Sequence, residues 1–450
     1  MSLPFLAFPR GRTLVHRRTP VALLTVLLGV LPAVPQAAAP PLTLVEAQRL
    51  AVERSRRVAA EDSALVAAQQ MAVAAGQLPD PVVTVGLDSW PVDGAHRFSV
   101  GGDDFTMGRV AVSQEWTRAS KRQLRAQRFD REGEKTQAEK AAIIATIQRE
   151  TASAWLERHY AEAMAALIVE QKKAAELEIM AADAAYRSGR GTQADFIATR
   201  SALAELDDRA NAIDQRLLTA KTALVRWVGD AADLPLADKP DLESVRVDVT
   251  MLETELAHHP EIAVLDRQED LAWNAARLAE ADKHADWSVA LAYSQRGSGL
   301  SDFVSVSVSI PLQWDQAHRQ DREVAAKLAL AEQASAERDE ALRGEVGAVR
   351  GRVQAWQSGR QRLKRYEREL IPLALARTEA TLAAFAAGRS STTEVLRARR
   401  DEIDLRLRML ELETSTARLW AELNFLFPDS ETQPLAGIEH DGSTITEGSK

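Results

Sequence analysis

Few residues in this sequence have the type and spacing that chemistry requires. His258 and His259 are adjacent, and adjacent residues of a helix face different directions, so they do not form a metal-ligand pair. The chain has no cysteine, which excludes thiolate metal sites and disulfides. No glycine-rich phosphate loop, nucleophile elbow or pair of catalytic carboxylates stands out. The sequence therefore predicts no enzyme, no cofactor and no metal site.

Two segments that match at an offset of 199 residues carry the remaining candidates. Each has a glycine–arginine pair followed by an acid six residues after the glycine. These residues are Gly189, Arg190 and Asp195 in the first segment and Gly388, Arg389 and Glu394 in the second. Because glycine adopts positive φ at little cost, each pair is predicted to form an exposed helical-hairpin turn. An acid just after such a turn is stabilised by the helix dipole.

The elements that position these segments are predicted to occur twice. Each copy contains a helix, two strands and a long helical hairpin. The predicted helices are 44–77, 120–187 and 193–228, then 250–284, 318–387 and 391–426. The predicted strands are 82–88, 106–116, 287–294 and 303–314. The domains are thus a first repeat at 40–228, a linker at 229–248, a second repeat at 249–428 and a flexible tail at 429–450.

Residues 1–39 are predicted to be a cleaved export signal. Four arginines precede an apolar run at 21–34, and small residues at 37–39 form the cleavage site. Pro32 and Pro35 interrupt the apolar run, which disfavours the alternative of a membrane anchor. Removing four arginines and no acid takes the net charge from −9 to −13. So acidic a chain is a poor nucleic-acid binder.

The strands alternate between apolar and small polar residues. The clearest alternation is that of Val304, Val306 and Val308 with Ser305, Ser307 and Ser309. A half-buried soluble sheet has the same period of two. Strand lengths close to a tilted membrane crossing favour a membrane sheet, and so do Trp116, Trp287 and Trp314 at the strand ends, where an interface girdle would lie. Four strands cannot close a barrel, so two copies with eight strands or three with twelve must share one.

The long helices predict an elongated, mainly α-helical fold with a small β part. A helix of about 68 residues spans roughly 100 Å, far more than an ordinary globular helix. The last helix carries two apolar stripes, which indicates two helical neighbours, as in a ring of coiled helices. An ordinary bundle core is the alternative interpretation.

At this point the chain resembles the TolC-type outer-membrane efflux family over residues 42–428. The duplicated unit, the strand pairs and the hairpin segments 186–200 and 385–400 carry the resemblance. It implies a homotrimer with a twelve-stranded barrel in the outer membrane and a helical barrel in the periplasm. It also implies two partners, a periplasmic membrane-fusion adaptor and, through it, an inner-membrane RND-type pump. Residues 78–125 resemble the branch that serves cobalt–zinc–cadmium pumps.

The resemblance also implies roles for the hairpin residues. Asp195 and Glu394 would line the periplasmic gate, where a ring of carboxylates attracts cations and gains affinity for protons. Arg397 stands where the family carries a second acid, so a Glu394–Arg397 pair is expected to lock the gate. The turns at Gly189–Arg190 and Gly388–Arg389 would dock the adaptor.

Basic residues follow the second and fourth strands. They are Arg118, Lys121, Arg122, Arg125, Arg128 and Arg131, then His318, Arg319 and Arg322. We hypothesise that they hold anionic lipid headgroups just beneath the inner leaflet. A solvated charged face is the alternative.

The function predicted from these observations is the outer-membrane exit duct of a tripartite pump that exports heavy-metal cations. One alternative is a duct of the same fold for type I protein secretion or drug efflux. The alternative from another class is a periplasmic coiled-coil adaptor or scaffold. Adaptors carry one helical hairpin between β-domains, whereas this chain is predicted to have two hairpins.

Overall fold

The structure is a computed structural model that describes residues 40–429 apart from Arg190 and Ser298. The predicted export signal and residues 430–450 of the predicted tail lie outside the described residues. The described part is mainly helical with one small sheet, which confirms the coarse fold class. None of its helices combines the length and apolar character needed to cross a membrane.

The elements of the first half follow the order predicted from the sequence. They are α1 (Leu44–Glu53), α2 (Arg56–Ala75), β1 (Val82–Asp88), β2 (Met107–Trp116), α3 (Ala119–Arg187) and α4 (Gln193–Val228). The prediction of a single helix at 44–77 is wrong, because this segment forms two helices, α1 and α2. Ser55 accepts a hydrogen bond from the Val58 N–H at 3.3 Å and thereby caps α2 at its start.

The second half has corresponding elements with more interruptions. They are α5 (Leu252–Leu256), α6 (Pro260–Asp282), β3 (Trp287–Gln295), β4 (Phe303–Ser309), α7 (Gln320–Arg365), α8 (Ile371–Ala386) and α9 (Thr392–Asn424). The predicted helix 250–284 is divided before Pro260, whose ring suits the first position of a new helix. The predicted helix 318–387 contains a π-helical turn at Tyr366–Leu370.

The sheet is antiparallel, with strands in the order β1, β2, β3 and β4. The central pair, β2 with β3, joins the two halves of the chain, and β1 and β4 form the edges. The fourth strand was predicted to reach residue 314, but it ends at Ser309. Pro311 explains the difference, since proline has no N–H to donate to a neighbouring strand.

Two long hairpins extend from the sheet. Hairpin 1 comprises α3 and α4, and hairpin 2 comprises α7, the π turn, α8 and α9. The 69 residues of α3 give a length of roughly 100 Å at 1.5 Å per residue. Helix α9 packs against α3 of hairpin 1 as well as α7 and α8 of its own hairpin.

The main hydrophobic core lies where both hairpins meet the segment between the halves. Trp155 is fully buried, and its Nε1 donates to the Leu42 carbonyl at 3.0 Å. Trp420 donates in the same way to the Ser244 carbonyl at 2.8 Å. The buried Arg158 binds the carbonyl of Leu234 at 3.0 Å. These bonds satisfy backbone groups that would otherwise be buried without partners.

Candidate functional site: the hairpin tips and the apolar sheet

The two hairpin turns share one backbone geometry. Gly189 and Gly388 lie in the left-handed region, with φ of +72° and +71°. Their N–H groups bond the carbonyls three residues back at 3.0 Å and 2.9 Å. A Cβ on either glycine would meet nothing within 4 Å, so the need for glycine is conformational. Arg389 is exposed beside the second turn, whereas Arg190 lies outside the described residues.

A capping box follows each turn. The Asp195 N–H donates to Oγ1 of Thr192 at 3.1 Å, and the Asp195 carboxylate accepts from the Thr192 N–H at 3.2 Å. Ser391 and Glu394 exchange the equivalent two bonds, both at 3.2 Å. The sequence signal for these caps, Thr-x-x-Asp and Ser-x-x-Glu, was available. In the single chain both predicted gate acids are therefore bound to their own helix ends.

The capping bonds also set the proton affinity of both acids. Hydrogen bonds from Thr192 hold the pKa of Asp195 below its ordinary value of 3.8. Bonds from Ser390 and Ser391 likewise lower the pKa of Glu394 from 4.5. This direction is opposite to that expected for a ring of carboxylates. A raised affinity for protons would require like charges from further copies of the chain.

Arg397 does not form the expected pair with Glu394. Within the described residues no ion pair joins them, and Arg397 is exposed on the neighbouring face of α9. The Glu394 carboxylate is already occupied by Ser390 and Ser391, at 2.6 and 3.2 Å. A capping acid points back over its own helix end, which takes it away from a side chain three residues later. The Glu394–Arg397 pair is therefore not formed in the single chain, and its role in a gate built from several chains stays a prediction.

Ion pairs that the sequence analysis missed join α9 to hairpin 1 above the turns. They are Arg399 with Glu178, Arg400 with Glu205, and Asp404 with Arg209. Nη2 of Arg399 lies 3.0 Å from Oε1 of Glu178. Beside these pairs the buried side chains of Ile168, Leu206 and Ile403 form a small apolar cluster. No sequence signal marked these pairs, because the partners lie 195 to 221 positions apart in the chain.

A cavity of about 670 Å³ lies between the ends of the two hairpins. Its lining includes Asp195, Thr199, Leu382, Phe385, Val395 and Leu396. The Asp195 carboxylate is also within reach of a hydrogen bond from Thr392, the first residue of α9. The two turns are thus close neighbours, and the acid of the first faces the helix start of the second.

At the opposite end of the molecule the sheet has one apolar face. Residues in register form continuous rows across the four strands. One row is Val83, Val112, Leu291 and Val306, and the next is Val85, Val110, Tyr293 and Val304. Each of these side chains is 46% to 75% exposed. An apolar patch of this extent is unusual on a soluble monomer and marks a contact with protein or lipid.

The other face of the sheet carries small and polar residues. One row across the four strands is Thr84, Ala111, Ala292 and Ser305. Ala111 and Ala292 are buried, at 7% and 2% exposure. The alternation predicted from the sequence is therefore present, and in the central strands β2 and β3 the apolar face is the exposed one.

The three tryptophans differ in position. Trp116 and Trp287 are paired in register, and their rings stack at a centroid distance of 5.1 Å. Trp314 was predicted at the end of β4, but it lies five residues beyond Ser309, with 87% of its surface exposed. The partner of Trp116 at the sheet end is thus Trp287, which begins the adjacent strand.

The basic segments next to the sheet are not uniform. Lys121 is only 3% exposed, and its Nζ binds Asp286 at 2.9 Å and Asp282 at 3.3 Å. Arg131 pairs with Glu134 at 2.8 Å. Both were assigned to lipid contact by the sequence hypothesis, and that assignment is wrong for the buried Lys121. Its role is to tie α3 to the residue before β3.

The two adjacent histidines have separate surroundings. His259 is 4% exposed and packs edge-on against Phe427, and its burial lowers its pKa. His258 is exposed. Among residues 40–429, as far as they are described, no cluster of histidine and carboxylate groups has the geometry to hold a metal ion.

No protein-family model and no curated protein matches the sequence. Among solved structures, the chain is similar to CusC, with a TM-score of 0.74 and 14% identity over 86% of this chain and 92% of that one. It is also similar to the outer-membrane protein VceC of Vibrio cholerae, with a TM-score of 0.70 and 16% identity over 85% of this chain and 95% of that one. The likeness to the CmeC outer-membrane channel of Campylobacter jejuni has a TM-score of 0.70, with 12% identity over 86% of each chain. The chain therefore has the fold of outer-membrane channels, as the resemblance implied.

Proposed function

We propose that the chain is the outer-membrane exit duct of a tripartite efflux pump. The observation that carries the proposal is the apolar face that runs in register across four strands and has no cover within the described residues. If lipid hydrocarbon covered this face, the inserted state would be stabilised by about 25 cal/mol for each Å² of apolar surface removed from water. The likeness in fold to outer-membrane channels supports the same function.

The edges of the sheet require further copies. β1 and β4 each have one side without a strand partner in the described chain. An open edge is not tolerated in lipid, because unpaired backbone groups cost several kcal/mol each there, so copies must join edge to edge. Three copies give twelve strands, the number that the family resemblance implies. The stacked pair Trp116–Trp287, with Trp314, would lie at the membrane interface.

The hairpins would then form the periplasmic part of the duct. Their tips would bring three copies of Asp195 and Glu394 around one axis as the gate, with Arg397 beside it. The turns at Gly189, Arg190, Gly388 and Arg389 would dock a periplasmic membrane-fusion adaptor, which connects to an inner-membrane RND-type pump. A Cβ at either glycine would meet nothing within 4 Å, and this open space beside both turns supports an external contact there.

The proposed cargo is heavy-metal cations. The support is the resemblance of residues 78–125 to the cobalt–zinc–cadmium branch and the acids at both tips. Carboxylates in a narrow opening concentrate cations. Organic drugs and secreted proteins are the alternative cargoes of the same duct.

The first experiment tests the duct itself. The mature chain is expressed with a Gram-negative signal, and outer-membrane fractions are run on gels with and without heating. We expect a heat-modifiable trimer that conducts ions in planar bilayers. A monomer that stays soluble without detergent would overturn the proposal.

The second experiment tests the cargo. The gene is deleted in its own host, and growth is measured with zinc, cobalt, copper and a panel of organic drugs. Sensitivity to the metals alone supports metal export. Sensitivity to the drugs alone, or unchanged metal tolerance, would overturn the cargo while leaving the duct in place.

A further inference from the structure

Three exposed arginines lie beside the sheet without an ion-pair partner. They are Arg118, Arg319 and Arg322, and we call them the junction arginines. Arg118 comes two residues after the end of β2, and the other two lie at the start of α7, on the chain that leaves β4. In the described part of the chain none of their guanidinium groups has a salt bridge within 4.0 Å.

The aspartates near the junction are already bound by other bases. Asp282 and Asp286 are held by Lys121, at 3.3 and 2.9 Å. Asp321 is held by Lys283 at 2.9 Å, and Asp315 contacts His318 at 2.7 Å. Each of these aspartates is therefore already in contact with another base, and none of them lies within ion-pair distance of a junction guanidinium group. The junction arginines stay available to an outside ligand.

The junction arginines also have a defined relation to the sheet. Arg118 follows the stacked Trp116–Trp287 pair, and Trp314, five residues before Arg319, is 87% exposed. Indole rings prefer the boundary between hydrocarbon and headgroups. Arg118 lies two residues beyond Trp116, and Arg319 and Arg322 lie five and eight residues beyond Trp314. All three would therefore lie just outside the hydrocarbon, near the lipid phosphates, which attract cations.

We propose that the junction arginines bind the phosphates of anionic phospholipids in the periplasm-facing leaflet. The inference rests on the proposed outer-membrane function. Arginine suits the task because its planar fork binds phosphate oxygens in pairs. Of the nine basic residues near the sheet, Lys121 is excluded by its burial, and Arg131 and His318 are already paired with Glu134 and Asp315. Arg122 and Arg125 are only partly exposed, and Arg128 lies ten residues beyond Arg118, which leaves the three junction arginines. A trimer would present nine such groups around the barrel.

The test uses the purified mature protein and two kinds of vesicle. One contains phosphatidylethanolamine and phosphatidylglycerol, and the other contains phosphatidylcholine with the same acyl chains. Insertion is measured by flotation and by channel conductance. The variant carries R118Q, R319Q and R322Q together. We expect wild-type protein to insert preferentially into the anionic vesicles. In the variant the ratio of insertion into anionic over neutral vesicles should fall by roughly tenfold or more, since each cation near such a surface raises the binding constant by about fivefold.

Two matched controls separate position from net charge. The first carries R350Q, R362Q and R365Q, three exposed arginines of α7 without ion pairs among the described residues. The second is R128Q, since Arg128 is exposed and lies about 15 Å farther along α3 than Arg118, beyond the screening length of about 8 Å. Both should keep the wild-type preference, and salt should weaken it in all cases.

The outcomes divide cleanly. Loss of the preference in the triple junction variant alone supports the proposal. Equal insertion of wild-type protein into both vesicles, or an equal loss in the α7 control, would overturn it while the channel function stands. A triple junction variant that keeps the wild-type preference for anionic vesicles would also overturn it. If wild-type protein inserted into neither kind of vesicle, the result would contradict both the proposed function and this inference.

Discussion

Hairpins 1 and 2 correspond in sequence but differ in how the chain encloses them. Helix α3 packs against α1, α2, α4, α6 and α9, whereas α7 packs chiefly against α6 and α9. Gly133 of α3 faces α2, so that a Cβ there would lie 3.4 Å from the Leu65 side chain. On α7, a Cβ at Gly344, Gly347 or Gly351 would meet nothing within 4 Å. Hairpin 1 is thus covered by its own chain, and α7 leaves a smooth face open for a neighbour.

The outer helices of the hairpins also differ in continuity. α3 is regular through all of its residues, but a π-helical turn at Tyr366–Leu370 separates α7 from α8. Pro372 stands at the second position of α8, where it cannot donate to a carbonyl one turn earlier. The matching residue of α3, at the offset of 199, is the exposed Lys173. The same hairpin is therefore continuous in one repeat and jointed in the other.

Exchanging these two residues should have the largest effect on the comparison. K173P places a proline within α3 and should cost about 3 kcal/mol in unfolding free energy. P372K restores an N–H, and we expect the π turn to become ordinary helix, with slower amide exchange over 366–370. Hydrogen exchange and thermal unfolding of both single variants measure this. If K173P and P372K changed the unfolding free energy equally and in the same direction, the contrast between a continuous α3 and an interrupted α7–α8 would be wrong.

The open face of α7 gives the next largest effect. G347W should leave the folded single chain intact, because nothing lies near the glycine, but it should obstruct a neighbouring copy. The expected loss is about 1–3 kcal/mol per contact, seen as a smaller trimer fraction on native gels. The control G347A should preserve the trimer and stabilise α7 slightly. A trimer fraction unchanged by G347W would show that α7 does not face a neighbour.

Much of this contrast could be predicted from the sequence, and part of it could not. The hairpin turns were predicted because Gly189 and Gly388 combine a rare backbone requirement with an apolar pattern on either side. The strands were predicted from their period of two, although Pro311 was overlooked as the end of β4. Prolines 260 and 372 carried the signal for the breaks between α5 and α6 and between α7 and α8.

The contacts of long charged side chains could not be predicted in this way. Lys121 has the same sequence surroundings as the arginines beside it, yet it is buried against Asp282 and Asp286. Its partners lie more than 160 positions away, and the pairing of β2 with β3 and the packing of α3 against α6 bring them together. The same reason hid the bond between Arg399 and Glu178, which depends on how α9 lies against α3.

The capping boxes offer a smaller test, in which the two hairpins should behave alike. T192A and S391A should each cost about 1 kcal/mol in helix stability and increase amide exchange in the first turn of α4 or α9. The lowered pKa values of Asp195 and Glu394 give the sign of the pH effect. Their contribution is present above the ordinary values of 3.8 and 4.5 and is lost as pH falls through the lower folded values. Amide exchange at the tips should therefore rise only in acid.

The proposed trimer would change that titration. If three copies bring Asp195 and Glu394 together, like charges should move the titration upward, and a conductance step should appear above the ordinary values. D195N should remove that step, with the conservative D195E as its control. A conductance profile that is flat down to the ordinary values would mean that the acids act only as helix caps.

The smallest expected effect tests what holds the two hairpins together. A double-mutant cycle on Arg399 and Glu178, whose side chains are 26% and 21% exposed, should give a coupling near the upper end of about 0.2–1 kcal/mol. The pair Arg377–Asp401 lies within hairpin 2, is 59% and 48% exposed at a similar 3.1 Å, and should give a value near the lower end. Because only the first pair spans the hairpins, R399Q should also raise amide exchange in both tips at once, whereas R377Q should affect hairpin 2 alone. Exchange confined to α9 in R399Q would mean that the tips move independently and that the cross-hairpin pair is a surface contact without mechanical consequence.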